Sequence, residues 1–170
     1  MHVNVNMASF NREMIRLDRL LREISQGSYV AAKDSAEDYS RLVRTGIAVK
    51  SAPSFAPAWE PLSDVTIAKK TAHKEEFWAE TLGIYKAIRT KILSKTTMFI
   101  QIFAGISSSD DSDAFERAKK NEYGFGLGPA RPLFEPAKDA VAPMTGAGRR
   151  LLNKSKFIYA VKRAIRKVYK

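Results

Sequence analysis

The sequence predicts an α+β fold, with N-terminal helices, a small antiparallel sheet centred on residues 96–106 and a C-terminal amphipathic helix. Three observations carry the prediction. Apolar residues near the start recur at helical spacing. One run, TTMFIQIFAGI, is β-branched and aromatic on both faces apart from Gln101, and it has the length of a strand. Projected at 100° per residue, residues 156–169 separate cleanly: Phe157, Ile158, Val161, Ile165 and Val168 fall in one sector, and Lys156, Lys162, Arg163, Arg166 and Lys167 in the opposite one.

Phe10, Met14, Leu17, Leu20, Leu21 and Ile24 define the first helix, with Arg12, Arg16, Arg19 and Arg22 opposite or flanking them. Ser9 is its expected N-cap and Gly27 its expected stop. A second helix is expected from Ser28 to about Thr45, burying Tyr39, Leu42, Val43 and Ile47. The stretch SAPSFAPAWEP then breaks the pattern. Pro53, Pro57 and Pro61 make a stiff connector, with Phe55 and Trp59 as its anchors.

Ser63 is placed to cap a short polar helix, DVTIAKKTAHKEE. The segment FWAETLGIYKAIRTKI reads equally as helix throughout or as helix passing into strand. SSSDDSD is a loop or helix cap before the short helix DAFERAKKN. EYGFGLGPARPLFEPA bends at Gly124, Gly126, Gly128 and Pro129, and a further helix opens at Glu135 or Pro136. TGAGRR reads as a hinge. Residues 1–140 are therefore expected to form one α+β domain, and residues 141–170 a basic hinge and helix.

Charge is concentrated in that last segment. The net charge is +11, yet residues 141–170 carry 9 basic groups and no acidic one, leaving the rest of the chain close to neutral. A neutral body with one basic tail implies a local contact with something acidic rather than a globally nucleic-acid-coated protein. Cysteine is absent, which removes disulfides, thiolate zinc sites and cysteine nucleophiles together. The N-terminal residues lack the pattern of a secretory signal, and no apolar run has the length of a membrane span.

Catalytic constellations do not assemble. His2 and His73 have no partner at metal-ligand spacing. Asp110, Asp111 and Asp113 lack the glycine and distal glutamate of a calcium loop and read as a helix start. GFGLG lacks the Gly-Lys-Ser/Thr continuation of a phosphate loop and runs into Pro-Ala-Arg-Pro. No enzyme activity, metal or cofactor is expected.

From Trp59 onward, WEPLSDVTIAKK, FWAETLGIYKAI and NEYGFGLGPARPLFEPA follow one another in order. This series resembles the tail-completion, or virion-morphogenesis, proteins of long-tailed bacteriophages over residues 59–170. The matching residues are Trp59, Pro61, Leu62, Ser63, Thr66 and Lys69, then Thr81, Leu82, Ile88, Gly105, Glu122 and Gly124. The third motif is matched by Ala130, Arg131, Pro132, Phe134, Pro136 and Ala137. The chain departs from the pattern at Thr81-Leu82-Gly83, where threonine is not followed directly by glycine, and in the one-residue shift of Phe134.

The resemblance implies a structural virion protein, made in the host cytoplasm, that forms a homo-oligomeric ring with six-fold closure at the head-proximal end of the tail. Tail terminator and head connector proteins would be its partners, with DNA passing through the channel. Trp59, Tyr123, Gly124, Arg131 and Phe134 are the candidate ring-interface residues. Arg131 suits either a brace to a neighbouring subunit or a salt bridge within its own surface, and Phe134 suits core packing as well as an interface. Arg149, Arg150, Lys162, Arg163, Arg166 and Lys167 are the candidates for facing DNA or an acidic partner. The rival reading is a nucleic-acid-binding module working through the C-terminal helix. No membrane partner is expected.

Overall fold

One long helix, α1 (Met7–Ile47), packs against most of the remaining elements. The computed structural model describes residues 6–48, 52–60, 64, 83–96, 100–125, 129–141 and 153–169. Its other elements are α2 (Gly83–Ala87), β1 (Arg89–Lys95), β2 (Ile100–Gly105), α3 (Ser112–Tyr123), α4 (Phe134–Val141) and α5 (Lys154–Val168). This is the expected α+β fold with a C-terminal helix.

Two expectations about α1 are corrected. Its cap is Asn6 rather than Ser9: the Asn6 side chain accepts from the amides of Ala8 (3.1 Å) and Ser9 (3.2 Å). Gly27 does not stop the helix, and no second helix begins at Ser28. An interior glycine costs about 1 kcal/mol relative to alanine. Here that cost is offset by packing, because a Cβ on Gly27 would lie 3.0 Å from the Cβ of Ala160 in α5. The hydroxyls of Ser28 and Ser35, which would favour a cap elsewhere, donate to the carbonyls of Ile24 and Ala31 one turn back, each at 2.7 Å.

β1 and β2 pair antiparallel, from Arg89 opposite Gly105 to Lys95 opposite Ile100, with an irregularity between Ile92 and Ser94. The ambiguous segment thus resolves as a short helix followed by a strand. The hairpin lies along α1. Thr90 and Ser40 share a hydroxyl hydrogen bond of 3.0 Å, and the Lys95 ammonium sits 4.0 Å from the centre of the Tyr29 ring. Five residues of strand and eleven of helix both cover about 17 Å, so the two elements keep step.

The core gathers around the C-terminal half of α1. Val43 and Leu133 are fully buried, and Tyr39, Ile47, Ile84, Ile88 and Val141 pack with them. Leu42, Phe55 and Trp59 lie half-buried against this cluster, the last two as the connector anchors foreseen from sequence. Asp111 caps α3 by accepting from the Ala114 amide at 2.9 Å. The expected polar helix after Ser63 and the TGAGRR hinge lie outside the described residues, apart from Asp64.

α5 runs antiparallel to α1. Asn153 caps α5, its own amide donates to Ser35 (3.2 Å), and its side-chain amide donates to the Val141 carbonyl (3.1 Å). Further along, Lys156 pairs with Asp38, and Lys167 with Glu23 at 2.6 Å. Ala164 is buried in this contact, and Phe157, Val161 and Val168 are half-buried, whereas Ile158 and Ile165 of the same apolar sector remain exposed.

Candidate interaction surfaces

The third sequence motif folds into a single hydrogen-bonded unit. α4 begins without a Ser, Thr, Asp or Asn before it, so the orphan donors of its first turn need another acceptor. Glu122, at the end of α3 and almost fully buried, supplies it. Its carboxylate accepts from Leu133 (2.7 Å), Phe134 (3.0 Å) and Glu135 (3.0 Å). Pro136 has no N–H, and the Ala137 amide bonds the Leu133 carbonyl at 3.0 Å, so every donor of that turn is accounted for. A carboxylate at a helix N-terminus also meets the favourable end of its dipole.

Around this brace the chain is tied twice more. The Arg131 amide donates to the Asn121 carbonyl at 2.7 Å, and Trp59 Nε1 donates to the Pro132 carbonyl at 3.1 Å. Gly124, at φ 79°, makes the turn that a side chain would resist. Leu133 projects onto Gly46 of α1, where a Cβ would come within 2.2 Å of its Cδ1. Burial lowers the pKa of the Arg131 guanidinium, and the Glu60 carboxylate acts the other way. Burial, aided by the charges of Glu122 and Glu135, raises that of the Tyr39 hydroxyl.

Of the five residues proposed for a ring interface, Trp59, Gly124 and Phe134 are half-buried and Arg131 is buried, all within the unit just described. Tyr123 is exposed, and so is its neighbour Phe125, whose ring lies 4.8 Å from the Lys120 ammonium. In the sequence Glu122 stands out only as a motif match. The missing N-cap before Phe134 is the signal that a distant acceptor had to exist.

The basic candidates lie on α5. Lys162, Arg163, Arg166 and Lys167 are all exposed, and Lys167 is paired with Glu23. Arg149 and Arg150 lie outside the described residues, as do His2 and His73. Between α1 and α5 runs a groove of about 710 Å³ bordered by Lys156, Arg163 and Lys167. Among the described residues no cluster of histidine and carboxylate side chains could hold a metal ion, and no helix is long and apolar enough to cross a membrane.

At the other end of α1, most of the apolar residues at helical spacing are open. Met7, Phe10, Met14, Leu17 and Leu21 are all exposed, whereas Leu20 and Ile24 are half-buried. Comparison of the chain with family models, with curated proteins and with solved structures gave no match.

Proposed function

We propose that this chain is a structural virion subunit that forms a ring at the head-proximal end of a bacteriophage tail, joining tail to head around the DNA passage. It carries out no catalysis and needs no cofactor. Its partners are further copies of itself, closed into a six-fold ring, a tail terminator on one face and a head connector on the other. The observation that carries the reading is the ordered series of motifs between Trp59 and Ala137. The geometry supports it in two ways. Glu122, Gly124 and Pro132 serve to stiffen a small domain rather than to line a reaction centre, and α1 exposes apolar side chains that suit a neighbouring protein.

The test is to delete the gene, complement it, and label the product. Expected are unjoined heads and tails without the protein, and label confined to the head–tail junction when it is restored. Label along the whole tail, or throughout the capsid shell, would refute the placement.

The exposed cations of α5 favour a second reading, nucleic-acid binding. Four phosphate contacts through Lys162, Arg163, Arg166 and Lys167 would give a slope of about −3.6 in log K against log salt on duplex DNA. The structural reading expects a shallow slope. A steep one, abolished by reversing the four charges, would favour the nucleic-acid module.

A further inference from the structure

A cavity of about 390 Å³ opens between the C-terminal half of α1, β2 and α3. Phe103 of β2, Phe115 of α3 and Phe134 of α4 give it aromatic walls, and Tyr39 reaches it from α1. Tyr39 is only 8% exposed, and its hydroxyl has no hydrogen-bond partner among the described residues. Leaving a buried hydroxyl unpaired is costly, so a molecule that completes its bonding is favoured. Gly105, at φ 133°, keeps the space beside that ring open: a Cβ there would lie 4.0 Å from Tyr39 Cε1 and 3.9 Å from Phe103 Cζ. A cavity of about 150 Å³ already accepts benzene, so this one has room for a substituted ring.

We propose that this cavity binds one uncharged aromatic ring carrying a hydrogen-bond donor, of the phenol or indole kind, and recognises its polar end through the Tyr39 hydroxyl. The phenylalanine walls favour a flat ring through offset and edge-to-face contacts. Charge sets the polar end. Glu122 lines the same cavity, and its charge and that of Glu135 both act on Tyr39. They repel a carboxylate or phosphate and favour a ligand that presents a proton. The Glu122 carboxylate is already engaged by the amides of Leu133, Phe134 and Glu135, which leaves Tyr39 as the open partner. Burial, and then those two charges, hold the proton on Tyr39, so its hydroxyl can both donate and accept. Lys119, the one cation of the lining, is exposed and lies 4.0 Å from Glu116, so it does not turn the cavity toward anions. The site belongs to a single subunit and holds whether or not the chain closes into a ring.

The full chain is titrated calorimetrically with p-cresol, toluene and benzoate. The expected result is p-cresol bound roughly three- to tenfold more tightly than toluene, with benzoate weakest. Tyr39→Phe, shown by a thermal melt to be folded, should bind toluene as the parent does and lose the preference for p-cresol. Filling the cavity from either wall, by Ala118→Leu on α3 or Ala104→Leu on β2, should weaken both probes severalfold, and the pair of variants guards against one that fails to fold. N-acetyltyrosinamide separates the two sources of such a ring. Binding tighter than p-cresol assigns the ring to a tyrosine side chain of a protein, and weaker binding assigns it to a free small molecule. The proposal is overturned if no probe binds, if toluene matches p-cresol in the parent, if Tyr39→Phe keeps the preference, or if the filled variants bind as the parent does.

Discussion

The two halves of α1 carry the same kind of sequence and meet different fates. Both present an apolar stripe with charged residues on the remaining faces, and both belong to one unbroken helix. From Ala31 onward that stripe is covered by α5, the hairpin and Leu133, whereas before Glu23 it stands open. The local pattern specifies that a face must be covered; it does not specify by which chain. Gly27 and Gly46 mark the covered half, since each admits a neighbour that any side chain would hold off.

The contrast can be broken by substitutions whose effects fall in order. Leu133→Ala empties the best-packed site against α1 and should cost about 4 kcal/mol in a urea-unfolding measurement. A loss below about 1 kcal/mol would mean that the covered half is held by something else. Glu122→Ala strands three N-terminal donors of α4 and should cost about 3 kcal/mol, with Glu122→Gln falling between it and the parent. Gly46→Ala forces a Cβ against Leu133 and should cost about 2 kcal/mol despite its better helix propensity, read from the shift in melting midpoint. Trp59→Phe keeps an aromatic ring, though a smaller one, and removes the bond to the Pro132 carbonyl, for about 1 kcal/mol or somewhat more in the same melt. Leu17→Asp, on the open arm, should change monomer stability by no more than about 0.5 kcal/mol. A large loss there would show the arm to be packed within its own subunit, and the comparison would collapse.

Much of this architecture was readable from the sequence, and the failures share a cause. The Tyr39–Val43–Ile47 stripe, the Phe55 and Trp59 anchors, the second strand and the C-terminal helix all announce themselves through spacing and residue type. Gly27 misleads because a glycine that ends a helix and one that admits another helix look alike until the partner is known. β1 is ambiguous because RTKILSK holds just two adjacent apolar residues, Ile92 and Leu93, among cations and hydroxyls and lies mostly exposed. At the candidate surfaces, the bond from Trp59 to Pro132 and the reach of Glu122 span residues far apart in the chain, and no local pattern encodes them. The one local trace of that reach is a helix that opens with no Ser, Thr, Asp or Asn before it.

That borrowed cap has a consequence for how the molecule opens. A helix of eight residues cannot persist in water alone, so α4 exists only while Glu122 and the core hold it. Its first amides, those of Leu133, Phe134 and Glu135, are therefore sealed by a side chain from α3 rather than by their own turn. In hydrogen exchange the two helices should therefore open as one cooperative unit. A fluctuation that frays the end of α3 at Glu122 releases α4 with it, and with α4 goes Leu133, the peg that seats this unit on the long helix.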